Sequence, residues 1–294
     1  MSGSLRVRAF AKVNLGLRIL GVRSDGYHEL ATIFQTIALH DTLTFAPGAA
    51  DFRIHCTTPG VPLDRSNLVW RAADALWRGA GREEPLPGLR VDLEKRVPPA
   101  SGLGGGSADA AATLVALDAL WELETPESRL RELAAALGAD VAFFLSGGAA
   151  LGRGRGEDLT PLPDLPDWPV VVARPAFGVS TPAAYRWFDE DGTAATEPLR
   201  IPNDAGEWAA CLDGCVNDLE APVARRHPEI GGLVTQLRRS GSRLAAMSGS
   251  GSAVFGLFTS LPAAAAAASG LAAETVAVTR VLPGAEYRAA FRPW

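Results

Sequence analysis

Three short stretches place residue types at spacings that suit phosphate chemistry. The first is "GLGGGSADAA", residues 102–111. Gly102, Gly104, Gly105 and Gly106 fall within five positions around Leu103, and Ser107 opens a run of helix formers. Backbone N–H groups at a helix N-terminus attract anions, and glycines let the backbone come close. The second is "AKVNLGL", residues 11–17, where Lys12 sits inside an apolar strand pattern. The third is "GADVAFFLSGG", where Asp140 stands at the start of an apolar helical run. A cation beside a carboxylate can take up charge that develops on an attacking hydroxyl. A further loop, "MSGSGSAVF", sets Ser248, Gly249, Ser250 and Gly251 before a strand. Each stretch also has an ordinary reading: a glycine-rich turn, a lysine reaching solvent along its stem, a helix cap, a loop hinge.

Two familiar phosphate motifs are excluded. A P-loop needs a lysine directly after the last glycine, and Ser107 follows Gly106. A dinucleotide fingerprint needs a buried strand running straight into the loop and an acid about twenty residues on. Here Pro98 and Pro99 interrupt the approach.

The elements that must position these residues follow from periodicity. Residues 5–20 alternate as one or two strands, and Asp25-Gly26 marks a turn. "ATIFQTIAL", "DTLTFAPG" and "DFRIHCT" read as three more strands. A helix is expected near Asn67–Arg78, and a strand over "GLRVDLEKRVPP". A long helix follows the glycine loop from Ser107, and two more break at Gly138. "GAALGRGRGEDLTPL" is a glycine-punctuated hairpin. Pro161, Pro163, Pro166 and Pro169 mark a linker. Beyond it come strand "WPVVVARP", helix "TPAAYRWFDE", an irregular stretch over 192–206, and a helical region broken at Pro222 and Pro228. The chain closes on strand "AVFGLFTS", helix "PAAAAAASGLAA" and strand "TVAVTRVL". This order predicts an α+β fold in two domains, residues 1–160 and 161–294.

Composition narrows the function classes. The 294 residues are 47% hydrophobic and 21% charged, enough for sizeable cores. The net charge is -5, and no basic cluster exceeds Arg225–Arg226 and Arg238–Arg239, which argues against nucleic acid as a partner. Three cysteines (Cys56, Cys211, Cys215) fit a reducing compartment and neither a disulfide framework nor a zinc site. No stretch suits a signal peptide or a bilayer span, so a soluble cytoplasmic protein without a membrane partner is expected.

Taken in order, "AKVN", "GLGGGSADAA" and "MSGSGSAVF" resemble the GHMP small-molecule kinases, named for galactokinase, homoserine, mevalonate and phosphomevalonate kinases. "AKVNLGLRILGVRSDGYHEL", "LGADVAFFL", "GRGRGE", "VNDLE" and the Thr181…Tyr185 pair resemble the branch that acts on a cytidine-diphosphate-linked methylerythritol. The resemblance covers essentially the whole chain. It implies a ribosomal-S5-like N-terminal domain that binds ATP and a ferredoxin-like C-terminal domain that binds substrate, with both ligands in the cleft between them. It implies phosphoryl transfer from ATP, with Mg²⁺, to the 2-hydroxyl of that polyol, a small-molecule partner. Lys12 and Asp140 are then the catalytic pair. Gly102, Leu103, Gly104, Gly105, Gly106 and Ser107 hold the ATP phosphates, Ser107 through its hydroxyl or a contact to Mg²⁺. Asn67 and Lys95 match positions the family uses around the nucleotide. Asn14 bonds the substrate near the reacting hydroxyl, His28 meets the cytosine edge, and Tyr27 and Tyr185 stack on the ring beside Thr181. A monomer or weak homodimer is expected. Two departures stand out. Asp109 occupies a position where the family commonly has asparagine, and is expected to face away from the phosphates or to contact the helix end. Tyr185 stands where phenylalanine is frequent. Kinases of other alcohols, a related ATP-dependent decarboxylase and a non-catalytic nucleotide-binding module remain open as alternatives.

Overall fold

The computed structural model describes residues 3–192 and 197–294; positions 193–196 of the stretch read as irregular lie outside them. Two long antiparallel strands, β1 (Leu5–Val22) and β2 (His28–Pro47), form the spine of the first sheet. The remaining strands are β3 (Phe52–His55), β4 (Leu89–Glu94), β5 (Ala149–Gly154) and β6 (Asp158–Pro161). β1 pairs along one edge of β2, while β5 and then β4 share the other. Helices α1 (Leu68–Gly79), α2 (Gly105–Leu120), α3 (Glu127–Leu137) and α4 (Ala139–Ser146) pack on this sheet.

The alternation over 31–47 runs through a single strand, not two. Asp41, where the second of the two expected strands begins, lies fully buried inside β2 and accepts from the N–H groups of Arg96 and Val97 at 2.5 and 2.8 Å. Its carboxylate is satisfied by a neighbouring segment, so no turn is needed. Three register shifts interrupt β1, between Phe10 and Lys12, Asn14 and Gly16, and Ile19 and Gly21. Such bulges re-aim side chains, and Lys12 and Asn14 lie between the first two.

The second sheet contains β7 (Pro169–Arg174), β8 (Leu244–Met247), β9 (Val254–Leu257) and β10 (Thr275–Arg280) in the order β10-β7-β9-β8, all antiparallel. Helices α5 (Thr181–Asp191), α6 (Trp208–Leu212), α7 (Glu220–Arg226) and α8 (Pro228–Arg239) lie between β7 and β8, and α9 (Leu261–Ser269) between β9 and β10. This is the split β-α-β order of a ferredoxin-like fold. β8 escapes the sequence pattern because all four of its residues are buried and two are alanine, which leaves no alternation to read. Pro222 does not break its helix. It sits in the first turn of α7, where its missing N–H has no intrahelical partner to lose.

Three apolar clusters form among the described residues. One lies under the first sheet, one around the second. The third joins them: Leu15 and Ile33 of the first sheet meet Val170, Phe255 and Trp208. The last helix, α10 (Gly284–Ala290), returns to the N-terminal body. There Tyr287 is fully buried beside Phe10, its hydroxyl donates to the Phe144 carbonyl, and Trp294 pairs with Arg6 through two backbone hydrogen bonds of 2.9 Å. Residues 284–294 therefore pack with the first of the two expected domains. No helix among the described residues is long and apolar enough to cross a membrane.

Candidate active site

A cleft of about 830 Å³ opens where the two bodies meet. On one side is the glycine loop. Gly104, in the left-handed region at φ 74°, turns the chain into α2, which begins at Gly105 rather than at Ser107. The first bond back into the helix is Ala108 N–H to Gly104 O at 2.8 Å. The N–H groups of Gly105, Gly106 and Ser107 precede it, and all three residues line the cleft. The loop packs against the 248–251 segment of the second body. A Cβ on Gly102 would lie 2.0 Å from the Ser248 carbonyl oxygen.

Lys12 forms the floor. Its side chain is 4% exposed, and its ammonium donates to Asn14 Oδ1 at 2.5 Å and to the Gly102 carbonyl at 2.9 Å. Asp140 Oδ2 lies 3.4 Å away at the rim, in the first turn of α4, with 32% of its side chain exposed. Lysine and aspartate thus reach one point from 128 positions apart in the chain. Asn14 is held in turn: its Nδ2 donates to Thr32 Oγ1 at 2.8 Å, and its backbone N–H meets Ser248 Oγ at 3.3 Å. Ser248 Oγ also donates to the Gly102 carbonyl at 2.9 Å. Asn217 fixes the same segment, donating to the carbonyls of Met247 and Gly249 at 2.8 and 2.7 Å.

The opposite wall is aromatic. His28 and Tyr185 stack at 4.9 Å with 23° between their planes, and His28 Nε2 bonds Asp189 Oδ1 at 2.8 Å. Burial, with the Asp140 charge adding to it, pushes the Tyr185 phenol up, so it stays neutral. Tyr27 is more than half exposed and carries the Arg155 guanidinium 5.1 Å from its ring centre. Thr181 Oγ1 lies 3.0 Å from Ser250 Oγ across the cleft.

Most of the residues singled out from the sequence line this cleft: Lys12, Asn14, Tyr27, His28 and Asp140, then Gly102, Gly104, Gly105, Gly106 and Ser107, and Thr181 and Tyr185. Within the wall it is His28 that lies against Tyr185. Three others do not line the cleft. Leu103 is fully buried in the joining cluster, where its carbonyl accepts from Lys12 N–H at 3.0 Å. Asn67 caps α1, accepting from Val69 N–H at 2.9 Å and donating to the Pro62 carbonyl. Lys95 is clamped between Asp41 at 2.5 Å and Asp109 at 2.7 Å, all three nearly or wholly buried. Asp109 accordingly faces away from the cleft, into the protein. Burial most, and then the Asp41 charge, push its carboxyl up to about 7, against the pull of Lys95. Burial works against the Lys95 ammonium, but the two carboxylates outweigh it and shift its pKa upward.

Asn217, Arg155, Thr32 and Asp189 were not foreseen as site residues. "VNDLE" and "GRGRGE" carried a signal for the first two. Thr32 and Asp189 have none that is local, since each acts through partners brought from other elements.

Comparison with known proteins identifies the family. The family model for the GHMP kinases N terminal domain matches residues 67–148, and that for the GHMP kinases C terminal matches residues 195–277. A relative from Moorella thermoacetica, named 4-diphosphocytidyl-2-C-methyl-D-erythritol kinase, is 44% identical over 86% of this chain and 90% of its own. One of the same name from Gloeobacter violaceus is 43% identical, over 86% and 85%. A crystal structure of 4-(cytidine 5'-diphospho)-2C-methyl-D-erythritol kinase is 40% identical and superposes with a TM-score of 0.72, covering 98% of this chain and 97% of that one. A crystal structure of L. major mevalonate kinase in complex with R-mevalonate shares the fold at 18% identity and a TM-score of 0.68, covering 96% of this chain and 97% of that one. The chain belongs to the GHMP kinases and, within them, to the 4-diphosphocytidyl-2-C-methyl-D-erythritol kinase family.

Proposed function

We propose that this chain transfers the γ-phosphoryl group of ATP to the 2-hydroxyl of 4-diphosphocytidyl-2-C-methyl-D-erythritol, a step of the non-mevalonate route to isoprenoids. Family membership supports the reaction. The observation that carries the site assignment is the Lys12–Asp140 pair, 3.4 Å apart between the glycine loop and the aromatic wall.

Phosphoryl transfer asks the protein mainly to position two reactants and balance charge. The open N–H groups of Gly105, Gly106 and Ser107 face the triphosphate. Asp140 accepts the proton of the attacking hydroxyl. Lys12, held by Asn14 and the Gly102 carbonyl, faces the oxygen on which charge develops. Its ties leave it little freedom, so the charge is in place before substrate arrives. Tyr27, His28 and Tyr185 offer stacking surface and hydrogen bonds to cytosine, with Thr181 beside them. The Ser107 hydroxyl would help to hold Mg²⁺ brought with ATP, and the ion would supply charge neutralisation. The enzyme works in the cytoplasm as a monomer or weak homodimer.

A coupled ADP-release assay over a panel of alcohols tests the reading. Turnover should appear with the cytidyl polyol and not with mevalonate or homoserine. Release of CO₂, or equal turnover with the simple alcohols, overturns it.

A further inference from the structure

Lys12 and Lys95 are the only lysines in the sequence. Both lie beside the glycine loop, one on each side. A Cβ on Gly104 would lie 3.2 Å from Lys12 Cε, and one on Gly105 would lie 3.2 Å from Lys95 Nζ. Lys12 faces the cleft. Lys95 is behind the loop, against the first turn of α2, and its charge is taken up by two carboxylates rather than one. Asp41 already has three donors: Lys95 and the N–H groups of Arg96 and Val97. Among the described residues Asp109 accepts only from Lys95, at 2.7 Å, and its Oδ1 is buried with no partner. A buried carboxylate oxygen without a donor costs stability, so folding alone does not account for a charged group here.

We propose that Asp109, when ionised, sets how tightly the glycine loop holds nucleotide: by sharing Lys95 with Asp41 it leaves one buried negative charge in excess behind α2, which weakens ATP and ADP binding alike. The open N–H groups of the loop and the α2 dipole draw the phosphates in. The charge behind them offsets part of that attraction and speeds the departure of ADP, a step that limits turnover in many kinases. Asparagine at this position keeps an acceptor for Lys95 and leaves the cluster neutral. The inference rests on the reading of the loop as the nucleotide-phosphate site.

The test is calorimetric titration of ADP and ATP, with Mg²⁺, into the wild type, Asp109→Asn and Asp109→Ala at pH 8.5. Removing one charge at this depth should lower the Kd for both nucleotides about three- to tenfold. The KM for the cytidyl substrate should stay within about twofold, because its aromatic wall lies across the cleft. Asp109→Ala removes the acceptor as well and should shift nucleotide Kd in the same direction, even where its melting temperature falls. Unchanged or raised Kd values in both variants overturn the proposal while leaving the kinase reading intact. A wild type that binds neither nucleotide overturns both.

Discussion

Gly102 and Gly106 look alike in the sequence, and the structure separates them. Gly102 has φ +78°, and a methyl there would sit 2.0 Å from the Ser248 carbonyl oxygen and 3.1 Å from Gly251 N. Both neighbours are backbone and cannot rotate aside. An L-residue in the left-handed region costs about 1–2 kcal/mol, and overpacking adds about 1–3. Gly102→Ala should therefore destabilise the protein by about 2–5 kcal/mol. Gly106 lies in the first turn of α2 with Leu68 Cδ1 as its nearest neighbour at 3.7 Å. Gly106→Ala should be neutral or stabilising by up to about 1 kcal/mol. Urea unfolding of the three proteins in one buffer measures both, read from midpoints at constant m. The new methyl of Gly106→Ala enters the cleft, so ATP affinity should fall while stability holds. Equal stability of Gly102→Ala and wild type, or a loss above about 1 kcal/mol for Gly106→Ala, refutes the packing argument.

Three further outcomes are expected. Asp140→Ala should lower kcat about 10²–10⁴-fold while ATP affinity stays within a few-fold, measured by turnover and by nucleotide titration; unchanged turnover removes Asp140 from the base role. Tyr27→Ala and His28→Ala should raise KM for the cytidyl substrate far more than KM for ATP, and parallel losses for both would place these residues outside the cytidyl site. Asn217→Ala leaves the carbonyls of Met247 and Gly249 without their side-chain donor. It should cost about 1–3 kcal/mol in urea unfolding and lower kcat with it, since the 248–251 segment braces Asn14 and Gly102; full activity would show that segment to be self-supporting.

Much of the fold and the cleft can be read along the chain. Helix and strand patterns, the break at Gly138, the linker prolines and the order of the glycine loops are local properties of backbone and hydrophobic period, and they place α2, α4 and β1 near their observed bounds. Lys12 and Asp140 also stand out locally, because a lysine in an apolar strand and an acid at an apolar helix start both need explaining. What each charge faces is a different matter. Lys95 lies 54 positions from Asp41 and 14 from Asp109. No local pattern says that it is clamped behind the loop rather than presented to a nucleotide. Likewise Gly102 reads as an anion contact, yet its strictest demand is the approach of Ser248, 146 positions away. Local sequence determined which segments bend, extend or coil and which residues are chemically out of place. Only the tertiary structure decided which charges are spent on one another and which remain for a ligand, because electrostatic energy depends on distance and burial, and both are set by packing between segments remote in the chain.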